Sequence, residues 1–378
     1  MHSAQNSYRL PAEWEPHDAV WLGWPHNTSD WPGKFQPIPW VFAEMASRLA
    51  TSETVRVVCK DEASRKRAIR ILKKADAQRF GRIATDPAAA GIEFVIAPTN
   101  RGWTRDFMPA FVQQLSPDAT APCAVLDFAF NGWGKYADHE LDNAAGTVCG
   151  LRVAQEKGWD YLAPSFRGGP ITFEGGALDV NGRGTILASE ECLLDPEVQV
   201  RNPGLLRADY EELFLRWFGA PNPIWLGRGI VGDDTHGHVD DFCRFVAPQT
   251  LLLCQEPDGR DPNHAILEEN RERLESARLE DGARPVLVRL PMPRPLYFDG
   301  QRLPASYANF YIGNTVVLVP TFNDANDRLA LGIIAEHFPK RTVIGIHAVD
   351  LVLGLGTEHC LTHEQPQLRG GSIRSMEL

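Results

Sequence analysis

Two short apolar runs, Phe242-Cys-Arg-Phe-Val246 and Leu251-Leu-Leu-Cys254, stand before an amphipathic segment, His264–Leu279, and a third run, Val286-Leu-Val-Arg289. Short apolar runs predict strands, and apolar residues at helical spacing predict a helix. The stretch therefore predicts two strands, a helix and a further strand in succession. Strands that alternate with helices are typical of an α/β protein.

Similar elements recur at a loose spacing on both sides of this stretch, without a clean internal repeat. The further strands are predicted over Val20–Trp24, Val55–Cys59, Phe94–Ala97, Ala124–Phe128, Thr185–Leu187, Thr315–Pro320 and Thr342–Ile346, and the further helices over Trp40–Leu49, Ala63–Ala75, Leu206–Phe218 and Asp327–His337. Gly219 follows one of these helices, in the position of a C-terminal cap. The whole chain therefore predicts an α/β fold.

Composition excludes several classes of protein. The 378 residues carry 38 basic and 49 acidic side chains, a formal charge of −11, and 43% of them are hydrophobic. Such a chain is neither fibrous nor disordered, and its length allows two or three domains. Its densest cluster of Lys and Arg, within residues 65–74, has helical spacing and no basic run, so we expect no nucleic-acid partner.

Cysteine usage and hydropathy bear on the compartment. The seven cysteines form no CxxC pair, and their odd count, without a recognisable secretory segment, favours a reducing cytoplasm. The first nine residues are polar, and the apolar runs fall far short of a membrane span. We expect a cytoplasmic protein without a membrane partner; a homo-oligomer stays open.

Polar residues collect in four segments at the edges of hydrophobic elements, where loops commonly carry chemistry. The segments are Trp103–Ala110, Phe173–Gly176, Gly232–Asp241 and Gly354–Cys360. Taken singly, Asp106, Glu174 and Cys360 could each be an ordinary turn or core residue. Their chemistry is informative only in combination.

One combination predicts a metal site. His236, His238 and Asp240 alternate along the chain, so their side chains point to one side of an extended segment, as metal ligands must. The order matches the start of a metallo-hydrolase signature, but position 242 is Phe where a further His is usual. A metal-dependent hydrolase is therefore one hypothesis.

A second combination uses Cys360 as a nucleophile and His238 as an acid and base. Several carboxylates beside a Cys–His pair would raise the pKa of the thiol. They are useful if the substrate brings positive charge, and a planar guanidinium group is matched bidentately by carboxylates. These residues therefore also fit a guanidine-modifying enzyme.

At this point the chain resembles the agmatine deiminase family, in the Porphyromonas-type peptidylarginine deiminase group of the guanidine-modifying (pentein) superfamily. The resemblance covers nearly the whole sequence. The motifs that carry it are Pro11-Ala-Glu-Trp-Glu-Pro-His-Asp18, Trp21-Leu-Gly-Trp-Pro25, Trp103-x-Arg-Asp106, Glu174-Gly-Gly176, Gly237-His-Val-Asp240, Val319-Pro-x-Phe322 and His359-Cys-Leu-Thr362.

The resemblance implies a five-bladed, pseudo-symmetric α/β propeller with a central active site. Residues 1–378 would then form a single deiminase domain instead of two or three. Separate blades would each bring residues to the axis. That arrangement would explain why the motifs are spread through the chain.

The resemblance also assigns roles. Cys360 would attack the guanidinium carbon, His238 would act as acid and base, and Glu174 would orient His238. Asp106 and Asp240 would bind the guanidinium nitrogens. Trp103 is expected to wall the pocket. The family needs no metal or organic cofactor, and its partner is a small guanidino substrate.

The leading substrate is agmatine, whose deimination gives N-carbamoylputrescine and ammonia in polyamine biosynthesis, towards putrescine. The sequence departs from the family pattern beside the motifs, at Met108, His236, Leu355, Thr357 and Glu358. We expect these positions beside the pocket, where the substrate tail is read. An arginine derivative or peptidyl-arginine therefore stays open, as does a non-catalytic binding protein.

Further residues are candidates for reading the tail. The acidic and amide candidates for a distal amine are Asp233, Asp234, Asp241, Asn323 and Asp324; the candidates for an α-carboxylate are Arg105, Arg167 and Arg228. The segment Trp24–Gln36 is a candidate lid.

Overall fold

The computed structural model describes residues 8–79, 91–116, 119 and 121–367. Strands and helices alternate along these residues, so the predicted α/β class is confirmed. The strands are β1 Tyr8–Arg9, β2 His17–Gly23, β3 Thr54–Cys59, β4 Ile92–Ile96, β5 Ala110–Gln114, β6 Cys123–Leu126, β7 Asp160–Leu162, β8 Ser165–Phe166, β9 Gly169–Pro170, β10 Leu178–Val180, β11 Thr185–Ser189, β12 Asn222–Leu226, β13 Cys243–Ala247, β14 Thr250–Gln255, β15 Val286–Pro291, β16 Tyr297–Phe298, β17 Gln301–Arg302, β18 Tyr311–Ile312, β19 Val316–Thr321, β20 Thr342–His347 and β21 Thr362–Pro366. The helices are α1 Ile38–Leu49, α2 Glu62–Arg79, α3 Thr104–Phe107, α4 Glu140–Lys157, α5 Glu190–Leu194, α6 Arg207–Leu213, α7 Pro262–Ser276 and α8 Asp327–His337.

Five three-stranded units in the described part of the chain share one topology. In each unit the first strand pairs antiparallel with the second, and the second pairs parallel with the third. The units are β21–β2–β3, β5–β6–β7, β10–β11–β12, β13–β14–β15 and β18–β19–β20. Parallel neighbours need a crossover connection, and helices occupy the chain between the second and third strand of each unit.

Most predicted elements form close to their predicted bounds. The helix predicted over Asp327–His337 has those bounds, because apolar residues at helical spacing bury one face. The helix predicted over Leu206–Phe218 is α6 followed by a π-helical turn, and Gly219 ends it in the left-handed conformation at φ 65°. The C-cap prediction is therefore confirmed.

Helix α4 is absent from the sequence-based prediction. It carries two glycines, Gly146 and Gly150, which lower helix propensity. An added Cβ on Gly146 would lie 2.1 Å from the carbonyl oxygen of Phe107. Tertiary packing therefore overrides propensity here, because glycine lets α4 lie directly against α3.

The last strand of the described chain lies in the same sheet as β2. Strand β21 pairs antiparallel with β2, with Leu22 opposite Thr362. One apolar cluster includes buried side chains from all five units, among them Trp21, Phe111, Leu187, Phe245 and Leu318. The C-terminal strand thus completes the first unit and brings the loop before it to the centre of the packed core.

No helix within the described ranges is sufficiently long and apolar to cross a bilayer. The candidate lid Trp24–Gln36 is packed onto the core around Trp31, whose indole nitrogen donates a hydrogen bond to the Leu351 carbonyl oxygen at 2.8 Å.

Candidate active site

A polar residue stands within four residues ahead of the first strand of each unit. These residues are Asp106 before β5, Glu174 before β10, Asp240 before β13, Asn309 before β18 and Cys360 before β21. Equivalent positions in equivalent units thus supply the site. Four of the five were predicted from the sequence, and Asn309 was not.

Asp106 lies on the short helix α3 and is held by two donors. Its Oδ1 accepts a hydrogen bond from the Gly176 backbone N–H at 3.1 Å, and its Oδ2 accepts one from the Trp133 indole at 2.9 Å. Burial, followed by the charges of Asp240 and Glu174, raises the pKa of Asp106 to about 6, although His238 opposes the shift. A carboxylate in this state gains from an arriving cation.

Glu174 is fully buried and ion-paired. The Arg201 Nε lies 3.0 and 3.2 Å from its two carboxylate oxygens, and His238 Nε2 lies 3.5 Å from Oε2. Burial alone would raise the pKa of Glu174, but Arg201 and His238 outweigh it and lower the pKa. Glu174 therefore faces His238 as a fixed anion.

His238 stands among three carboxylates. Its Nδ1 lies 4.0 Å from Asp106 Oδ1 and 3.9 Å from Asp240 Oδ1, while its Nε2 faces Glu174. Burial disfavours the charged ring, yet Asp106, Cys192 and Glu174 raise the pKa of His238 well above its ordinary value. The ring is therefore an imidazolium at neutral pH and can give a proton.

The backbone at Gly176 and the loop before His238 explain how the His238 ring can lie so close to these carboxylates. An added Cβ on Gly176 would lie 2.5 Å from His238 Nδ1, so the motif requires glycine there. The loop before His238 is held by Asp233, whose carboxylate accepts hydrogen bonds from the backbone N–H groups of Thr235, Gly237 and His238. Asp233, a candidate tail reader, instead shapes this loop.

Asp240 is oriented by a buried chain of charges. Its Oδ2 lies 2.6 Å from His359 Nδ1, and His359 Nε2 lies 2.7 Å from Glu13 Oε2. Arg244 donates to the same Glu13 oxygen at 2.7 Å. Burial would raise the pKa of Asp240, but His359 and His238 lower it. Its Oδ1 has no hydrogen-bond partner among the described residues and is available to a ligand.

Cys360 is buried beside Asp240 and Asn309. The Asn309 Nδ2 donates to the sulfur at 3.0 Å, and Asp240 Oδ2 lies 3.5 Å from it. Burial, then the charges of Asp240, Asp241 and Asp106, raise the pKa of Cys360 well above its ordinary value, and Asn309 opposes them. The sulfur is therefore a thiol until positive charge enters the site.

A cavity of about 340 Å³ gives access to this group. Asp106 and Cys360 lie in its wall, and Trp103 lines it as predicted. Trp103 packs against Trp31 with ring centroids 5.6 Å apart. An aromatic wall beside carboxylates suits a flat cation with an alkyl tail.

The positions that depart from the family pattern do not all border this cavity. Leu355 lines it, but Met108 lines a separate cavity on the side of Glu13 and Arg105. The buried carboxylate oxygens of Glu358 have no hydrogen-bond partner in the described structure, and burial raises the pKa of Glu358 to about 8. Thr357 donates to Asn309 Oδ1 at 2.9 Å. The expectation that all of these positions read the substrate tail is corrected accordingly.

The metal hypothesis fails on His236. Its Nε2 lies 3.0 Å from Asp195 Oδ2. The possible ligand atoms of His236, His238 and Asp240 do not all lie within 4.8 Å of one another. Two other groups of ligand-type side chains in the described chain meet that distance, namely Glu174 with Cys192 and His238, and Asp240 with Asp241 and Cys360. Arg201 on Glu174 opposes a further cation in the first of these groups.

Most of the tail candidates lie elsewhere. Asp234 lines the cavity, whereas Asp241 is buried behind it and accepts from Asn309 at 3.1 Å. Neither Asn323 nor Asp324 belongs to the lining, and Asp324 pairs with Arg294 at the surface. The predicted cations Arg105, Arg167 and Arg228 are likewise absent from it; Arg105 is buried against Glu364 at 2.7 Å.

Several residues of the site carry no signal in the sequence taken alone. Arg201 and Trp133 lie outside the four polar segments, yet they hold Glu174 and Asp106. His359 belongs to the motif His359–Thr362 but received no role from the sequence, and in the structure it orients Asp240. The five-fold topology could have singled out Asn309, since it stands where the other units place Asp106, Glu174, Asp240 and Cys360.

Comparison with known proteins shows the family of the chain. Residues 9–366 match the family model described as Porphyromonas-type peptidyl-arginine deiminase. An agmatine deiminase of Medicago truncatula is 31% identical over 96% of this chain and 97% of its own. The structure of an agmatine deiminase of Enterococcus faecalis superposes with a TM-score of 0.81 at 26% identity, covering 96% of this chain and 98% of that one. A substrate-bound agmatine deiminase of C. jejuni gives a TM-score of 0.78 at 26% identity, over 98% and 99% of the two chains. The chain therefore belongs to the Porphyromonas-type peptidyl-arginine deiminase family.

Proposed function

We propose that the protein is an agmatine deiminase, which hydrolyses agmatine to N-carbamoylputrescine and ammonia through a covalent intermediate on Cys360. The observation that carries this proposal is the buried group of Asp106, Glu174, His238, Asp240 and Cys360, of which Asp106 and Cys360 lie in the cavity wall. The names of similar proteins, which include several agmatine deiminases, support the choice of substrate.

Substrate binding follows from the charges. A guanidinium group placed between Asp106 and Asp240 would donate hydrogen bonds to both carboxylates, and Asp240 Oδ1 has no other hydrogen-bond partner among the described residues. The same cation offsets the carboxylates that hold the pKa of Cys360 high. Binding would therefore lower the thiol pKa, and the thiol proton would pass to solvent, so that the thiolate forms only when the substrate is present.

The first chemical step forms a C–S bond and breaks a C–N bond. The Cys360 thiolate attacks the guanidinium carbon, and the His238 imidazolium gives its proton to the departing nitrogen, which leaves as ammonia. The carbon then carries the sulfur, one amino group and the substituted nitrogen as an amidino-thioether. Asn309 holds the sulfur in place and stabilises its negative charge.

In the second step His238 acts as a base instead of an acid, and Cys360 is the leaving group. Neutral His238 takes a proton from water, the oxygen attacks the same carbon, and the C–S bond breaks. The products are the ureido compound and the Cys360 thiol, with His238 again an imidazolium. Glu174 holds the ring for both proton transfers and stabilises its charge.

We also infer that the protein acts in the cytoplasm, in polyamine biosynthesis towards putrescine. Support for a reducing compartment comes from the seven cysteines, all of which are free thiols. We treat residues 1–378 as one deiminase domain. The apolar cluster that runs from Val20 to Leu361 supports this view.

The test is a substrate panel of agmatine, arginine, 4-guanidinobutyrate and a blocked arginine peptide, with ammonia and ureido product both measured. Wild type, Cys360→Ser and Cys123→Ser are compared, since Cys123 is an equally buried thiol outside the site. We expect agmatine turnover by wild type and Cys123→Ser that resists EDTA, and none by Cys360→Ser.

Turnover of another panel member alone would support the proposed reaction but identify a substrate other than agmatine. Loss of activity with EDTA would contradict the metal-free thiol mechanism. Binding of a guanidine without turnover of any panel member would favour a binding protein.

A further inference from the structure

The outer part of the cavity is built by a segment that the deimination chemistry does not use. Ser29, Asp30 and Pro32 line the cavity, and Trp31 between them is buried. The Trp31 indole is fixed by its hydrogen bond to the Leu351 carbonyl oxygen. This segment is therefore a rigid wall of the cavity.

Asp30 in this wall is a buried carboxylate with a free oxygen. Its side chain is 7% exposed, Arg101 Nε lies 3.5 Å from Oδ1, and Oδ2 has no hydrogen-bond partner in the described part of the chain. A buried carboxylate oxygen without a partner is costly. Such a group is stabilised if a ligand brings a cationic donor.

The other two carboxylates of the cavity wall have their oxygens occupied. Asp106 accepts from Gly176 and Trp133. Asp234 accepts from Lys135 Nζ at 2.5 Å and from the Tyr136 hydroxyl at 2.7 Å. Among the three carboxylates that line the cavity, Asp30 is thus the one with an oxygen, Oδ2, that accepts no hydrogen bond from the described residues.

The Trp103 side chain has one end near the Cys360 nucleophile and the other at Asp30. An added Cβ on Gly356 would lie 3.1 Å from Cys360 Sγ and 3.0 Å from Trp103 Cζ3, so the sulfur and one edge of the indole both lie beside Gly356. The polar contact of the Trp103 side chain with Asp30 belongs to the nitrogen at the opposite end of the same ring. A substrate that lies along Trp103 with its guanidinium at Cys360 would carry its tail towards Asp30.

Arg101 is already engaged by other groups. Its Nη1 donates to Asp138 Oδ1 at 3.0 Å, and its guanidinium lies 4.5 Å from the centre of the Tyr136 ring. A carboxylate on the substrate tail would have to compete with Asp138 and would face Asp30. An ammonium group meets neither obstacle.

We propose that Asp30 binds the terminal ammonium group of the substrate and selects guanidino amines over guanidino acids. This inference rests on the proposed deiminase function and names the part of the cavity that recognises the tail. The geometry assigns Asp30 to substrate binding, with Trp103 as the surface along which the alkyl chain lies.

The protonation state of Asp30 provides a second test of the proposal, because it makes agmatine binding depend on pH. The charged and titratable groups that face it are Arg101, Asp142, Asp138 and Tyr136. Burial, opposed chiefly by Arg101, raises the pKa of Asp30 to about 7. Below that pH the carboxyl group is neutral and attracts an ammonium less, so agmatine affinity should fall as the pH decreases through 7.

The experiment compares agmatine with n-butylguanidine, which has the same guanidine and chain but no amine. Steady-state kinetics are measured for wild type, Asp30→Asn and the control Asp138→Asn, which alters the other partner of Arg101. Since a hydrogen bond to a charged group contributes roughly 10- to 100-fold, we expect Asp30→Asn to lower kcat/KM for agmatine by that factor. For n-butylguanidine we expect a change of less than about twofold.

Asp138→Asn should leave the preference for agmatine over n-butylguanidine in place. The acid limb of kcat/KM near pH 7 should be present for agmatine with wild type and absent for n-butylguanidine and for Asp30→Asn. Equal losses for both substrates in Asp30→Asn, or no loss for either, would overturn the proposal. If wild type turned over neither guanidine, the deiminase function itself would be wrong, so the two failures are distinct.

Discussion

Asn309 shows, at the scale of single residues, how a neutral side chain can control a charged one. Its Nδ2 donates to Cys360 Sγ and to Asp241, and its Oδ1 accepts from Thr357. The amide is thus held on both sides. The donor to sulfur favours the thiolate, against the surrounding carboxylates.

We expect Asn309→Ala to lower kcat/KM roughly 10- to 100-fold, because it removes a hydrogen bond to a charged sulfur. The pH dependence of Cys360 alkylation by iodoacetamide should shift to higher pH in the same variant. Asn314→Ala is the matched control, since Asn314 bridges His17 and Ser52 away from the site. An alkylation profile that does not move in Asn309→Ala would contradict the role given to this amide.

Glu358 is a second residue whose ionisation has a measurable effect, in this case on the stability of the folded protein. Its folded-state pKa is raised from 4.5 to about 8, so the unfolded state ionises first as the pH rises. The folded state then holds the extra proton, and stability falls between about pH 4.5 and 8. The loss is complete above the folded-state pKa.

We therefore expect Glu358→Gln to match wild type in stability at pH 4 and to exceed it by about 3 kcal/mol at pH 7. Urea denaturation at a series of pH values measures this difference. Glu62→Gln, at the exposed start of α2, is a control that should show no such trend. A constant difference between Glu358→Gln and wild type at all pH values would contradict the assignment.

At the scale of elements, the contact between α4 and α3 sets the position of Asp106. Gly146 allows the α4 backbone to lie against the Phe107 carbonyl group, one residue from Asp106. A methyl group there meets backbone atoms, which cannot move aside as a side chain would. The Asp106 carboxylate, which we propose binds the substrate, is thus placed by a helix that itself contributes no residue to the site.

We expect Gly146→Ala to destabilise the protein by about 2 kcal/mol and to lower kcat/KM at least tenfold, because α3 must shift. Gly332→Ala is the matched control: Gly332 lies in α8 with open space around it, so alanine should stabilise that helix by about 0.5–1 kcal/mol and leave activity unchanged. Thermal denaturation and kinetics of both variants measure this. Wild-type activity in Gly146→Ala would contradict the contact's role.

The contact between α4 and α3 also explains why the sequence predicts some elements and misses others. The helix over Asp327–His337 has a strong apolar periodicity and was predicted with its observed bounds. Helix α4 has two glycines and weak periodicity, so its pattern is set by the neighbour it packs against. Short first strands such as β18, with two residues, likewise lack a local signal.

At the scale of the whole molecule, five units of one topology each deliver a polar residue to one place. The chemistry of Asp106, Glu174, His238, Asp240 and Cys360 was predicted from motifs that resemble a known family. Partners such as Arg201 and Asn309 were not, because their contacts exist only once distant units meet. The pairing of β2 with β21 brings Cys360 into this arrangement from the far end of the chain.

The central claim is that Cys360 becomes covalently bound to the substrate carbon. The most direct measurement is acid quenching of the enzyme during agmatine turnover, followed by mass spectrometry of the Cys360 peptide. We expect that peptide to gain the mass of agmatine less ammonia, and no such gain in Cys360→Ser, which should also be inactive. An unmodified Cys360 at every quench time, together with turnover by Cys360→Ser, would contradict the account.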